Sequence, residues 1–506
     1  MQKRAECRFR LAVWTALALG AVSAAGQMGG PAGGSASSSA REATGPATVR
    51  AAEQTLQTVN TQTGVGSATS VSQQAFKGSL IEGKSTGQLM DLSLDDAIRR
   101  GLRTNLGLIL QTSAEKEAAG TRLQALQALL PTVTGNASYS VQQVNLAAYG
   151  LKFPGVNPIV GPFQVFDFRA YLSQSLINVT SIQRYLASRH NFEAEKLTAE
   201  DARNMVVLTV GNAYLLCVAD TTRIDAVNAQ LATAQVSLKN ANAAHEAGTS
   251  PKLDVLRAQV DYQNQQQQLI AAQNALAKDK LALARVIGLP LDQEFRLVDL
   301  TPYAALDHVD AEQAFQQALT QRKDLQAANE RLKAASSQKT AAWAEQLPEA
   351  HFTGDFGTLG NTLGSNHGTY TAKAEVTAPI LQIAKTRGDI LVADAQKEQA
   401  KARLSDQVQQ VNADVRDAIL DIEAAAKLVE AAKSNVDLAN EALSEAQERF
   451  RAGVSDNLAV SQAQSQASNA EDRYISALYQ HNIAKLSLAR ALGVAESGYK
   501  NYLGGK

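Results

Sequence analysis

Several things are scarce in this 506-residue chain, and each scarcity excludes something. Only two cysteines occur, Cys7 and Cys217. Cys7 falls in a segment expected to be removed, so no internal disulfide is expected in the mature chain. Aromatic residues make up 5%, low for a compact enzyme with a large globular core. Net charge is −1, which argues against a general nucleic-acid binder. The six histidines show no paired ligand spacing such as H-E-x-x-H, and no G-x-S-x-G occurs. No catalytic, metal or cofactor-binding residue is therefore assigned. Proline is absent after Pro379, so nothing in the last quarter of the chain must kink. Alanine and glutamine are abundant instead, as in long helices packed side by side.

Residues 1–26 read as a secretory signal. Lys3, Arg4, Arg8 and Arg10 form a basic start, Leu11 to Val22 a short apolar run, and Val22-Ser-Ala-Ala-Gly26 suits cleavage. The run is too short to span a bilayer comfortably. Residues 27–90, rich in Gly, Ser, Thr, Ala and Gln, read as a flexible low-complexity segment. Gly78-Ser-Leu-Ile-Glu-Gly-Lys-Ser85 matches the phosphate-loop pattern, but no buried strand precedes it and no clear helix follows, so the match carries no nucleotide site.

The stretch that organises the rest is a helix expected from about Ile383 to Arg451. Val415, Ile419, Ile422, Ala426, Val429, Val436, Leu443 and Phe450 fall at alternating spacings of four and three, the pattern of a coiled-coil seam. Lys433, Asn440 and Gln447 fill the remaining slots, which predicts a wet seam in the distal half. About 69 residues at about 1.5 Å each make a rod of about 100 Å. Before it come a helix capped by Ser93 or Asp95 and running to about Leu130, and two runs of period two. Phe166, Phe168, Ala170 and Leu172 face one way, and Val165, Asp167, Arg169, Tyr171 and Ser173 the other. Such strands, one face apolar and one wet, suit a membrane barrel, with Phe168 expected at lipid and Tyr171 at the lumen.

A second long helical run extends from Ile182 to Ala247 and turns at Gly248. A return helix from about Lys252 ends at Ile287. This order then recurs. Ala247-Gly248 through Gln259 matches Ala452-Gly453 through Gln464 at a shift of 205 (453 − 248), and Leu283-Ala-Arg with Gly288 matches Leu488-Ala-Arg with Gly493. Leu130-Pro131 matches Leu347-Pro348 at a shift of 217. The copies are expected at residues 91–300 (hairpin about 132–176, long helices about 182–287) and 301–495 (hairpin about 349–379, long helices about 383–492). A tail follows at 496–506. In the second hairpin Phe352 and Phe356 share the apolar face. Four strands cannot close a barrel, since about eight are the practical minimum. An open edge in a bilayer would leave backbone groups unsatisfied. If the hairpins sit in a membrane, several chains must pool strands, and three give twelve.

Leu92-Ser-Leu-Asp-Asp-Ala-Ile, Leu129-Leu-Pro131, Ala213-Tyr-Leu215, Ala247-Gly248 through Leu253-Asp254-Val255, and Ala452-Gly453 resemble the TolC-type outer membrane efflux family, over about Leu92 to Val494. The resemblance implies a mainly α fold with a membrane β part. Two tandem helix–hairpin–long helix–turn–helix repeats form, as a homotrimer, an α-helical barrel continuous with a 12-stranded β-barrel in outer membrane lipid. It implies a passive exit duct, of an efflux or type I secretion system, docked on a periplasmic adaptor (membrane fusion) protein and an inner-membrane pump. Gly248, Thr249, Leu253, Gly453, Val454 and Leu458 become the expected docking tips. Family members often carry acids past the second turn. Here Asp254 serves the first copy, its mate is Ala459, and Asp456 lies just upstream, so Asp254 and Asp456 are the candidate entrance gate. Phe166, Phe168, Leu172, Phe352 and Phe356 are the expected lipid-facing set. The competing reading is an exported structural or adhesive coiled-coil protein without a channel.

Overall fold

The computed structural model describes residues 73–503 apart from 152, 153, 156, 300–303, 305, 307, 308, 363, 453 and 456. The expected signal, Cys7, residues 27–72, Gly453 and Asp456 thus lie outside the described residues. In chain order the elements are β1 (Met90–Leu92), α1 (Leu94–Thr104), α2 (Leu106–Gln127), β2 (Thr132–Asn145), β3 (Ile159–Ile177), α3 (Val179–Glu246), α4 (Lys252–Ile287) and β4 (Phe295–Leu297). The second copy contains α5 (Ala311–Gln321), α6 (Lys323–Ala344), β5 (Glu349–Gly360), β6 (His367–Thr377), α7 (Ile383–Arg451) and α8 (Asn457–Ala491), followed by α9 (Ala495–Leu503).

The first helix of each copy breaks, where the sequence reading had one continuous helix to about Leu130. Ser93 caps α1 by accepting from the Asp96 N–H at 3.1 Å. The break comes at Asn105, whose backbone is extended and whose side chain accepts from the N–H of Gly107 at 2.9 Å, opening α2. A short polar side chain that satisfies the free N–H groups of a first turn explains the new start. Its repeat mate, 217 residues on, is Arg322, which separates α5 from α6 in the same backbone conformation. The nearly buried Arg322 guanidinium is held by Asp324 at 2.6 Å and Asp414 at 2.7 Å. Each break is met by the glycine that ends its copy's return helix. A Cβ on Gly288 (φ +70°) would lie 2.6 Å from the Thr104 hydroxyl, and one on Gly493 (φ +77°) 3.0 Å from the Arg322 backbone. Both glycines are thus required by backbone conformation and by close approach.

Order begins earlier than the sequence suggested. Residues 73–90, expected within a flexible segment, run as a strap over the first copy. Phe76 is buried, Leu80 N–H donates to Thr104 at 2.9 Å, Glu82 N–H to Gly288 at 3.0 Å, and Met90 N–H to Glu294 at 3.1 Å. The phosphate-loop look-alike is part of this strap, with no helix after it. At the other end, residues 496–506, expected as a tail, mostly form α9, whose Tyr499 and Leu503 enter the core. β1 pairs in parallel with β4, and the buried Tyr214 hydroxyl donates to the Leu92 carbonyl at 3.1 Å, pinning that pair to α3.

The main core joins α1, the middle of α3, the end of α4, and α8 and α9. α3 is the one described helix long and apolar enough to cross a membrane, but its Val206, Val207, Val210, Tyr214 and Leu215 are buried in this core. The α7 seam is dry, not wet. Val415, Ile422 and Val429 are buried with Ala418, Ala425 and Ala432, and the pattern continues half-buried through Val436, Ala439, Leu443, Ala446 and Phe450. Of the slots expected to be wet, Lys433 and Asn440 are exposed and Gln447 is half-buried. The companion slots lie one residue earlier than the four–three reading placed them, and alanine fills all five. Small side chains there let α8 approach closely through its own Ala463, Ala470, Ala477, Ala484 and Ala491.

Candidate channel wall and docking tips

The β part is a four-stranded antiparallel sheet in the order β2-β3-β5-β6. Directly opposed residues share a face, so the register decides orientation. Leu172 stands opposite Val133 and Gly354, Phe168 opposite Ala137 and Thr358, Phe166 opposite Tyr139, and Phe352 opposite Gln174. Phe356 stands opposite Ala170 and Tyr370. Phe166, Phe168, Leu172, Phe352 and Phe356 therefore all lie on one face, with Val133, Tyr139, Tyr370 and Val376. Phe166, Leu172 and Phe352 are half-buried, whereas Phe356 is 74% exposed, Tyr370 78% and Val376 73%.

The opposite face carries Thr134, Asn136, Ser138, Asp167, Arg169, Tyr171, Asp355, Thr371, Lys373 and Glu375. Here Asp167, Arg169 and Asp355 are the shielded charges, whereas Lys373 and Glu375 pair with each other at 2.7 Å and are exposed. Arg169 bonds Asp167 at 2.7 Å through Nε and reaches Asp355 at 3.4 Å, and its guanidinium lies 5.4 Å from the Tyr171 ring. The Asp355 side chain is 12% exposed. A soluble half-buried sheet hides its apolar face and wets its polar one. This sheet hides neither face and leaves Phe356, Tyr370 and Val376 bare, which is the arrangement of a barrel wall with lipid outside and water within.

At the far end of α3, Ala247 closes the helix and Gly248 takes φ +74°. The Thr249 N–H reaches back five residues to the Ala244 carbonyl at 2.9 Å. The mate turn repeats that bond, Val454 N–H to Arg449 at 3.0 Å. In the first turn this is the Schellman closure, and its six-to-one bond recurs in the second. Leu253, Val454 and Leu458 are exposed at these tips. The Thr249 hydroxyl is spent on the Ala244 carbonyl.

Asp254 does not project freely. It is buried, accepts from the Ser250 hydroxyl at 2.7 Å, and lies 3.6 Å from Arg257. Asn457, also buried, donates to the Asp254 carbonyl at 3.3 Å, tying the start of α8 to that of α4. In the protomer Asp254 thus serves as a helix-start acid within its own turn, which explains its type without a gate. Cys217 is fully buried, and burial pushes its thiol up to about 12, so it acts as a small core residue. Among the described residues no cluster of three or more His, Cys, Asp or Glu is placed to hold a metal ion.

Sequence reasoning missed two edge stripes. α4 exposes Leu253, Leu256, Val260, Ile270 and Leu281, and α7 exposes Leu420, Leu428 and Leu438. The α4 set falls on a three–four spacing that was readable, but its slots at Gln263, Gln267 and Asn274 hid it.

A family model described as outer membrane efflux protein matches residues 108–289 and 314–494, one match for each copy of the repeat. The chain belongs to the outer membrane efflux protein family. That description places the chain in the outer membrane. Outer membrane protein OprJ of Pseudomonas aeruginosa is 26% identical over 62% of this chain and 65% of its own length. The solvent efflux pump outer membrane protein SrpC of Pseudomonas putida is 24% identical over 80% of this chain and 84% of its own. The chain spans just under two thirds of OprJ. The outer membrane protein VceC of Vibrio cholerae superposes with a TM-score of 0.69 at 19% identity, over 79% of this chain and 96% of that one, a likeness of fold.

Proposed function

We propose that this chain is the outer membrane exit duct of a tripartite efflux or type I secretion system, acting as a passive homotrimer without catalytic chemistry. One observation carries the reading. A single chain joins a sheet with a bare apolar face, backed by a polar face whose charges are paired, to helices about 100 Å long. β2 and β6 are open edges of the sheet, and three copies would close them into twelve strands, because lipid tolerates no open edge. The unpartnered stripes on α4 and α7 supply a matching helical contact between copies. The lipid-facing set is Phe166, Phe168, Leu172, Phe352 and Phe356. Three copies present six turn tips, at Gly248, Thr249 and Leu253 and at Gly453, Val454 and Leu458, as a near-sixfold ring for adaptor hairpins, with the inner-membrane pump beyond. A gate at Asp456 remains part of the proposal, whereas Asp254 is given to its turn. The test is conductance in planar bilayers of protein extracted from outer membranes. The duct gives discrete trimer-sized pores; an exported structural or adhesive coiled coil gives none.

A further inference from the structure

The small-residue columns that pack each long-helix pair are not alike. On α7 and α8 every seventh residue is alanine, at 418 to 446 and at 463 to 491. On α3 the same column reads Ala213, Asp220, Val227, Ala234, Ala241, and on α4 Ala258, Gln265, Ala272, Asp279, Val286. Asp220 and Asp279 are the mates of Ala425 and Ala484 (220 + 205 and 279 + 205), both buried. The acids face one another across the seam: Asp220 is 3% exposed, one of its carboxyl oxygens is buried without a hydrogen-bond donor, and Asp279 is the carboxyl that interacts with it. Facing carboxyls in a helix seam favour holding a proton between them, because two adjacent carboxylates repel.

The surroundings do not neutralise a second charge. From α3, Arg223 holds the other Asp220 oxygen at 2.9 Å but also Asp472 of α8, at 2.9 Å. From α4, Lys280 is turned to the Phe295 carbonyl at 3.0 Å. From α8, Glu471 bonds Gln230, and the Tyr479 hydroxyl bonds Asn212. Cys217 lies beside the pair with its thiol protonated. Burial first, and Asp279 second, raise the Asp220 carboxyl to about 7.

We propose that Asp220 and Asp279 form a proton-dependent clasp on the α3–α4 pair, a clasp that the α7–α8 pair lacks, so that rising pH loosens the first copy's helices selectively. The proposal rests on helix packing alone and stands whether or not the chain conducts. The sign follows from linkage. An unfolded aspartate loses its proton near 4, the folded one near 7, so the clasp contributes fully below about 4 and is lost as pH rises to about 7.

Hydrogen exchange of the full-length protein tests it. Peptides covering 214–226 and 273–285 are compared with 419–431 and 478–490 at pH 5 and pH 8, which cancels the intrinsic pH dependence. The ratio of first-pair to second-pair exchange should rise about tenfold or more, one pKa unit being tenfold. Asp220→Asn keeps the shape without the titration, and the double variant Asp220→Ala with Asp279→Ala copies the second pair; both should hold the ratio flat. A wild-type ratio that does not change, or a rise that survives in Asp220→Asn, overturns the proposal.

Discussion

Phe168 and Tyr171 are three residues apart on β3 and lie on opposite faces of the sheet. Phe168→Arg puts a cation on the apolar face, where the cost near a bilayer midplane is about 2–4 kcal/mol, and Tyr171→Arg puts one beside Asp167 and Asp355, at far lower cost. The expected outcome is loss of outer membrane assembly for Phe168→Arg and near-normal assembly for Tyr171→Arg, read by the folded fraction in isolated outer membranes. Equal assembly would reverse or dissolve the assigned faces. That the two side chains fall on opposite faces was legible from strict alternation, since the period of two leaves no other choice. The role of Asp254 was not legible. Its acid type fits a gate and a helix start equally, and the contacts with Ser250 and Arg257 that hold it in the protomer are set by the shape of the turn.

Among the elements, the long helices were read to within a few residues because nothing breaks their pattern and Gly-Pro or Gly punctuation ends them. The seam was misphased for a physical reason. Isoleucine at 419 and alanine at 426 fit the four–three spacing, but packing distance, not bulk, chose the alanine column one residue earlier. The two phases make opposite predictions. Ala432 packs with Val429, Ala477, Tyr474 and Leu478, so Ala432→Leu should overpack the seam and cost about 1–3 kcal/mol. Lys433→Leu, at an exposed position, should stay within about 0.5 kcal/mol. Chemical denaturation of the two variants checks this, and a larger loss at Lys433 would restore the wet seam. The breaks at Asn105 and Arg322 escaped notice because only Asn105 carries a cap signal. Arg322 owes its conformation to the nearby Asp324 and to Gly493 and Asp414, which are far away in sequence. The strap of residues 73–90 was hidden likewise, since it is held by backbone bonds to Thr104, Gly288 and Glu294 and by distant side chains such as Gln293, which composition does not record.

The tips belong to the element scale as well. Leu253 and Val454 are exposed and their side chains form no hydrogen bond in the turn, so Leu253→Glu with Val454→Glu changes the surface and spares the six-to-one bonds. Trimers carrying both should insert normally yet lose adaptor cross-linking and export. Retention of both activities would move docking elsewhere.

At the scale of the whole molecule, the protomer is unfinished. Its sheet ends at two open edges, its apolar strand face is bare, and α4 and α7 expose leucine stripes at the two sides. Closure by three copies answers all of these at once, because four strands become twelve and each open edge meets its complement. The most direct measurement joins those edges covalently. Thr134→Cys on β2 and Thr371→Cys on β6, both on the polar face, are linked in intact outer membranes by a short bifunctional thiol reagent; the native Cys217 is buried and silent. The account predicts a denaturing-gel ladder of one, two and three chains that stops at three. Absence of interchain products, a ladder that stops at two, or one that runs past three would contradict it.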